Sequence, residues 1–129
     1  MPFIHIKVAG PKLSPQSLDR LQQGTSDLMQ SIMRKRREVT AVLVEKVELP
    51  GWTVGGEVPQ VAAHVEANVT LGTNTPAEKE SFVRAMDELL KERLGPALSA
   101  ATYVIVREVQ ADAWGYDGST QELRRKAAT

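Results

Sequence analysis

The 129-residue chain carries 16 basic and 16 acidic side chains, so its formal net charge is zero, and 42% of its residues are hydrophobic. This length fits one globular domain, and the neutral charge gives no basic footprint for nucleic acid or for an anionic membrane. The chain has no cysteine, which excludes disulfides and thiolate chemistry, and its two histidines lack the clustered carboxylates of a metal site. No apolar run is long enough to span a bilayer and no signal peptide is recognisable, so a cytoplasmic location is expected.

The first half of the chain predicts a strand, a helix and a second strand. The apolar run Phe3 to Val8 is typical of a strand. Ser14-Pro15 then marks a helix start, because a hydroxyl caps the first turn and proline suits the first helical position. The basic run Arg34 to Arg37 is expected to end this helix, where cations complement the dipole. The β-branched run Val42 to Val47 predicts the second strand. The apolar stripe of the helix consists of Leu18, Leu21, Leu28, Met29 and Ile32.

The second half repeats this order. Apolar and polar residues alternate over Val65 to Leu71, which predicts a strand with one buried face. Thr75-Pro76 opens a helix, and Glu78 three residues later completes a capping box. Gly95-Pro96 is expected to end this helix, and Val104 to Val109 predicts the last strand. The apolar stripe of this second helix consists of Phe82, Val83, Met86, Leu89, Leu90 and Leu94.

The two halves are related by a nearly constant spacing. The strand run from Val42 matches that from Val104, and each is followed by a tryptophan, Trp52 or Trp114, and then by a glycine four residues later. These pairs lie 62 residues apart, whereas the two helix starts lie one residue closer. Such self-similarity indicates a duplicated structural unit.

The elements therefore predict an α/β chain made of a duplicated β-α-β unit. The first copy covers about residues 2–56, the second about 64–118, and 119–129 form a carboxyl-terminal tail. We expect one pseudo-symmetric domain over 1–129, because the connection between the copies is too short for a flexible linker. Each strand-helix-strand crossover implies parallel pairing, giving a four-stranded sheet with two helices on one face. The other face would expose apolar strand residues, so an oligomer is expected.

A duplicated β-α-β unit with proline at position 2 resembles the tautomerase superfamily. The first copy, from Pro2-Phe3-Ile4-His5-Ile6-Lys7-Val8 through Trp52-Thr53-Val54-Gly55-Gly56, is similar to one subunit of the 4-oxalocrotonate tautomerase group. The second copy looks like another such unit fused behind it. The resemblance implies a homotrimer of fused chains, no cofactor, and a small carboxylate or oxo-acid substrate. It also implies a catalytic proline whose free secondary amine acts as general base.

This chemistry makes physical sense for Pro2. Moving a proton next to a carbonyl requires a base that is neutral near pH 7, and burial among apolar neighbours penalises the charged form of an amine. Phe3, Trp52 and Val54 are expected to supply such surroundings. The mechanism requires removal of Met1, because an amide nitrogen at Pro2 has no basicity.

Five further residues are candidates for binding the substrate. The resemblance places Lys12 where short family members carry an arginine that holds a substrate carboxylate, although a lysine lacks the bidentate fork of an arginine. Trp52 matches the aromatic pocket residue of the family, and Tyr103 is a candidate hydrogen-bond donor. Arg37 from a neighbouring chain and Arg107 at the last strand are alternative carboxylate binders. His64, which the spacing of 62 aligns with Pro2, is either a second acid-base group or a structural residue.

Two other readings stay open. In the first, the chain is a hydratase-type dehalogenase or decarboxylase, in which a protonated Pro2 acts as acid and Glu45 or Asp112 activates water. In the second, it is a binding or assembly protein of the tautomerase fold without catalysis. The leading hypothesis is keto-enol or double-bond isomerisation of an unsaturated oxo-acid.

Overall fold

The computed structural model describes residues 2–128, so Met1 lies outside the described residues. The two repeat units occupy most of this range, and a short hairpin and a helix follow them. The elements are β1 (Phe3–Ala9), α1 (Pro15–Ser31), β2 (Ala41–Lys46), β3 (Ala62–Thr70), α2 (Pro76–Leu94), β4 (Tyr103–Val109), β5 (Gly115–Tyr116), β6 (Ser119–Thr120) and α3 (Gln121–Ala128). Single 3-10 turns cover Arg37–Val39 and Leu49–Gly51.

The sheet has the strand order β2-β1-β3-β4. β1 is parallel to β2, and β3 is parallel to β4, which confirms the pairing predicted for each unit. The two units join through the antiparallel pair β1 and β3 at the centre of the sheet. α1 and α2 pack side by side on one face, so the predicted four-stranded sheet with two helices on one face is confirmed.

Both predicted helix starts are present. Ser14 Oγ accepts a hydrogen bond from the Ser17 N–H at 3.0 Å. Thr75 Oγ1 accepts from the Glu78 N–H at 3.1 Å, and Glu78 Oε1 accepts from the Thr75 N–H at 2.8 Å, which completes the capping box. Gly95 ends α2 with a φ of 93°, a conformation that glycine adopts without steric cost.

The end of α1 differs from the prediction. The helix ends at Ser31, before the basic run, and Arg34 adopts a left-handed φ of 59°. The Lys35 N–H then donates to Met29 O at 3.0 Å, which closes the carboxyl end of the helix. The basic run therefore forms the turn that follows α1. It directs Lys35 toward the protein interior rather than along the helix axis.

The core lies between the helices and one face of the sheet. Its central side chains are Ile4, Ile6, Val65, Ala67, Leu21, Met29, Phe82, Met86 and Leu90. Val83 is 38% exposed, so its assignment to the apolar stripe of α2 was wrong. The helices approach closely at Gly24, where a β-carbon would lie 2.8 Å from Leu89 Cδ1.

The opposite sheet face is open in the single chain. Its apolar side chains are Phe3, Leu43, Tyr103 and Ile105, which are between 40% and 68% exposed. Two ion pairs lie among them: His5 Nε2 is 2.7 Å from Glu45 Oε1, and Arg107 Nη1 is 2.7 Å from Glu66 Oε1. The hydrogen bond from Arg107 lowers the pKa of Glu66.

The tail forms defined structure that the sequence reading did not predict. β5 and β6, of two residues each, pair as an antiparallel hairpin. α3 follows directly, and Thr120 Oγ1 caps it by accepting a hydrogen bond from the Leu123 N–H at 3.1 Å. The Gln121 N–H donates to Trp114 O and the Glu122 N–H donates to Ala111 O, both at 2.9 Å, which ties α3 to the end of the second unit. No helix within residues 2–128 is long and apolar enough to cross a membrane, and the cytoplasmic location stays a prediction.

Candidate active site

Pro2 is buried directly before β1 and lines a cavity of about 420 Å³. Its carbonyl oxygen accepts a hydrogen bond from the Ala41 N–H at 3.3 Å, which fixes it to the start of β2. The cavity is mostly apolar, with two amide side chains at its edge. The lining residues besides Pro2 are Phe3, Ala41, Asn68, Trp114, Gly115, Tyr116 and Gln121.

The aromatic wall of this Pro2 pocket comes from the second unit. Trp114 Nε1 donates to Thr70 Oγ1 at 3.0 Å, so the indole is anchored to the end of β3. Asn68 Nδ2 donates to Phe3 O at 3.1 Å across the central strand pair. Tyr116 and Gln121, from β5 and α3, close the remaining side. The hairpin and α3 therefore complete the pocket around Pro2.

A second cavity, of about 270 Å³, adjoins the Pro2 pocket and shares Tyr116 and Gln121 with it. Four cations and no carboxylate line it: Lys35, Arg36, Arg124 and Arg125. We call it the basic pocket. Arg36 pairs with Glu38 and Arg125 pairs with Glu122, so Lys35 and Arg124 are its two cations without a carboxylate partner among residues 2–128.

Lys35 and Arg124 are held in place by neutral groups. Lys35 is 9% exposed, and its Nζ donates to Thr73 Oγ1 at 2.7 Å. Burial, followed by the positive charge of Arg34, lowers the pKa of Lys35. The Arg124 guanidinium lies 3.6 Å from the centre of the Tyr116 ring, and its Nη2 donates to Tyr116 O at 2.8 Å. Arg124 Nε and Gln121 Nε2 are buried without a partner within the described residues. These groups favour an anion in the basic pocket.

The sequence-predicted substrate-binding residues lie apart from Pro2 in a single chain. Lys12 is exposed before α1. Arg37 pairs with Asp27 and donates to Gln23 Oε1 at 2.6 Å. Arg107 pairs with Glu66 on the open sheet face. None of these three lines the Pro2 pocket or the basic pocket.

Trp52 and Tyr103 line a different cavity, together with His64. The alignment of His64 with Pro2 was wrong by one residue. Phe3 is the residue opposite Ala41 on the neighbouring strand, and His64 is the one opposite Tyr103. His64 therefore matches Phe3, and Ala63 matches Pro2.

The carboxylates proposed to activate water are also separate from Pro2. Glu45 pairs with His5 on the open face, and Asp112 lies exposed in the turn after β4. Within residues 2–128, no carboxylate lines the Pro2 pocket, and no group of three or more metal-ligand side chains is found.

The sequence reading missed Lys35, Arg124, Tyr116 and Gln121. A signal for α3 was present, since Thr120 is a hydroxyl cap, Glu122 lies in the first turn, and Arg125 and Lys126 lie in the last. Lys35 gave no separate signal, because one buried lysine cannot be distinguished within a run of four cations.

Comparison with known proteins finds a family match for the first unit of the chain. The family described as "Tautomerase enzyme" matches residues 2–62, which include Pro2, β1, α1 and β2. Probable tautomerase K2 from Dickeya dadantii (strain 3937) is 28% identical over 57 residues, or 44% of this chain and 85% of that protein. The first unit of the chain is therefore similar to the tautomerase family.

Several solved structures share the fold of nearly the whole chain. The structure of Pt0534 inactivated by 2-oxo-3-pentynoate has a TM-score of 0.84 at 14% identity, covering 95% of this chain and 98% of that one. A fused 4-OT described as a symmetric trimer has a TM-score of 0.82 at 16% identity, covering 93% and 96%. A macrophage migration inhibitory factor-like protein from Entamoeba histolytica has a TM-score of 0.77 at 17% identity, covering 92% and 97%. At these identities the likeness establishes the fold of this chain alone.

Proposed function

We propose that this chain is a cofactor-independent isomerase that uses the amine of Pro2, after removal of Met1, as general base on an unsaturated oxo-acid. The observation that carries the proposal is the arrangement of two adjoining cavities. One surrounds Pro2 with apolar groups, and the other holds Lys35 and Arg124 without carboxylate partners. A substrate with an acidic end and an enolisable carbonyl has chemistry that matches both.

Each cavity has a distinct role in the proposed reaction. The apolar walls around Pro2 favour the neutral amine, which removes a proton from the carbon next to the carbonyl. Cations in the basic pocket hold the substrate carboxylate and offset the negative charge of the enolate. The protonated Pro2 then returns the proton to another carbon or to the oxygen, so the amine is regenerated and no net redox change occurs.

A homotrimer is part of the proposal. Fused 4-OT relatives are trimers, and the open sheet face of this chain carries four exposed apolar side chains that assembly would cover. In such a trimer, Lys12, Arg37 and Arg107 could reach a Pro2 pocket from a neighbouring copy, whereas Trp52 and Tyr103 line a cavity of their own in each chain. Their substrate-binding roles stay proposals of that kind.

The proposal is tested first by combining intact mass spectrometry with a ketonisation assay. The wild type and Pro2→Ala are compared with phenylenolpyruvate or 2-hydroxymuconate as substrate. We expect protein without Met1 to be active and Pro2→Ala to lose about 100-fold or more in kcat/KM, the usual scale for loss of a general base. Equal activity of the two proteins would contradict the proline mechanism.

A covalent probe identifies the nucleophilic nitrogen. The alkyne of 2-oxo-3-pentynoate, the inactivator of Pt0534, is conjugated to a ketone, so a neutral amine adds to it and one proton moves to carbon. We expect wild-type protein to gain the mass of one reagent molecule at Pro2. Pro2→Ala also offers a free terminal amine, but a primary one, so we expect slower labelling. Protein that retains Met1 serves as the negative control.

The two other readings make different predictions for the same protein. A hydratase needs Pro2 protonated, so its activity would rise as pH falls, whereas the isomerase requires the free amine and loses activity on acidification. A binding or assembly protein would show a free Pro2 amine without turnover of either substrate.

A further inference from the structure

The chain contains a second pocket built at the positions that match the Pro2 pocket. It encloses about 390 Å³, within the range of about 300–1,000 Å³ typical of small-molecule sites. Its main lining residues are Lys7, Trp52, Val54, Ala63, His64 and Tyr103. We call it the His64 pocket.

The strand register shows that the two pockets are equivalent. Phe3 lies opposite Ala41 on one neighbouring strand and Asn68 on the other. His64 lies opposite Tyr103 and Lys7 in the same arrangement. Each pocket is thus centred on one residue near the start of a central strand, with one residue from each adjacent strand beside it.

The tryptophans follow the same symmetry. Trp114, after β4, closes the pocket at the start of β1, whereas Trp52, after β2, closes the pocket at the start of β3. Each unit therefore supplies the aromatic wall of the other unit's pocket. The second pocket is a built feature of the duplicated fold.

The chemistry of the two pockets differs at every one of the three sheet positions. Phe3, Ala41 and Asn68 in the Pro2 pocket are replaced by His64, Tyr103 and Lys7. Ala63 stands where Pro2 would be, so this pocket has no amine base from the backbone. The Pro2 pocket is mostly apolar, whereas the His64 pocket contains a cation, an imidazole and a phenol.

These three polar groups are not paired within residues 2–128, although the charge of His64 helps to lower the pKa of nearby Glu66. No hydrogen bond or ion pair within residues 2–128 involves the side chains of Lys7, His64 or Tyr103. The other charged groups on the same sheet face, His5 with Glu45 and Arg107 with Glu66, are paired at 2.7 Å. An unpaired cation beside two hydrogen-bonding groups and an indole is suited to a carboxylate attached to a flat apolar body.

We propose that the His64 pocket binds a small organic carboxylate, with Lys7 and Tyr103 on the carboxylate, His64 as a further hydrogen-bonding group, and Trp52 against the apolar body. The site does not depend on the Pro2 mechanism. It gives each chain a binding site that is distinct from the proposed isomerase centre.

The two tryptophans allow each pocket to be monitored separately. Because the chain has only Trp52 and Trp114, Trp114→Phe leaves Trp52 as the sole indole, and Trp52→Phe leaves Trp114. Benzoate is titrated into Trp114→Phe with excitation at the red edge of the indole band, and the indole N–H resonances of the wild type are followed by NMR. Benzamide, which has the same shape without the charge, is the matched ligand control.

We expect a saturable Trp52 response to benzoate with a Kd in about the millimolar range or below, and none to benzamide. Lys7→Met is expected to weaken binding about tenfold or more, and Tyr103→Phe by about fivefold, because each removes a hydrogen bond to a charged group. Lys46→Met, which removes a lysine outside the pocket, and Pro2→Ala are expected to leave the Trp52 response unchanged.

Three results would overturn the site. One is the absence of a saturable Trp52 response in both fluorescence and NMR. Another is an equal response to benzamide or in Lys7→Met. The third is a loss of Pro2-dependent turnover in Lys7→Met and Tyr103→Phe with an unchanged Trp52 response, which would assign these residues to the Pro2 pocket of a neighbouring copy. The turnover of Pro2→Ala tests only the isomerase proposal and has no bearing on the His64 pocket.

Discussion

Arg34 of the first unit reaches Glu78 of the second, with its Nε 2.6 Å from Oε2 and its Nη2 3.3 Å from Oε1. The same Nη2 donates to Thr73 O at 3.1 Å. Glu78 also accepts from the Thr75 N–H of the capping box and from Asn74 Nδ2. One carboxylate therefore joins the turn after α1 to the amino terminus of α2. Because Lys35 follows Arg34 directly, this contact also helps to position the basic pocket.

The first prediction concerns stability in acid. The hydrogen bonds from Arg34 and from the Thr75 backbone lower the pKa of Glu78 from 4.5 to about 2. A carboxyl with a lower pKa in the folded state adds stability above its unfolded pKa and loses it as pH falls toward its folded pKa. Glu78 is thus expected to make the free energy of unfolding decline between pH 4.5 and about 2. Urea denaturation at a series of pH values should show a shallower decline in Glu78→Gln.

A matched control separates this effect from the simple loss of a carboxylate. Glu57 is exposed in the connection between the units, so Glu57→Gln should keep the wild-type slope. An unchanged slope in Glu78→Gln would mean that the Arg34 contact does not persist in solution.

The second prediction tests the basic pocket as the binding site of the substrate carboxylate. Lys35→Met and Arg124→Met each remove a cation that lacks a carboxylate partner. We expect kcat/KM for an oxo-acid to fall by about 10- to 100-fold, the scale of one lost hydrogen bond to a charged group, mainly through KM. The kcat/KM for an uncharged ketone analogue, measured in the same steady-state assay, should change little.

Arg125→Met is the control for that experiment. Arg125 lines the same pocket but pairs with Glu122 at 2.6 Å, so its removal should alter kcat/KM by less than about threefold. A comparable loss in all three variants would indicate a general electrostatic effect, and no loss in Lys35→Met or Arg124→Met would place the carboxylate elsewhere.

The local elements of the fold could be predicted because their signals are short-range. Ser14-Pro15 and Thr75-Pro76 fix the starts of α1 and α2 through caps that involve only three or four residues. The register of the repeat could not be predicted in the same way. The central strands repeat after 61 residues, so Phe3 matches His64, whereas β2 and β4 repeat after 62. Because successive residues of a strand lie on opposite faces of the sheet, a spacing of 62 would align the core residue Ile4 with Glu66 on the open face.

The composition of the Pro2 pocket depended on long-range topology. Trp52 belongs to the same unit as Pro2, so the sequence favoured it as the aromatic residue beside Pro2. Because β1 and β3 are antiparallel, however, the start of β1 lies beside the end of β3, and the chain after β4 returns to the same place. Trp114 is therefore the indole beside Pro2. This arrangement follows from how the two units pair, which the local sequence does not specify.

The third prediction uses two glycines in corresponding turns after β1 and β3. Gly10 has a φ of 99°, and a β-carbon there would lie 2.1 Å from Gln60 O. Gly72 has a φ of 85° with no atom within 4 Å of that position. Gly72→Ala should cost only the left-handed strain, about 1–2 kcal/mol of the free energy of unfolding. Gly10→Ala should cost at least about 3 kcal/mol, because the backbone at Gln60 must also move. Equal losses in chemical denaturation would show that the close approach of Gln60 is not retained.

The fourth prediction concerns assembly through the open sheet face. Leu43 is 46% exposed on β2, beside His5, and a trimer built on this face would bury it. Leu43→Asp places a charge there, so we expect light scattering with size-exclusion chromatography to show dissociation at micromolar concentration and a lower melting temperature. Val58→Asp is the control, since Val58 is 53% exposed in the connection between the units and away from the sheet. A Leu43→Asp protein that stays trimeric with wild-type stability would show that this face is not the interface. If both variants dissociate, the interface extends over the connecting segment as well, and the pockets closed by Trp52 would then lie at a subunit boundary.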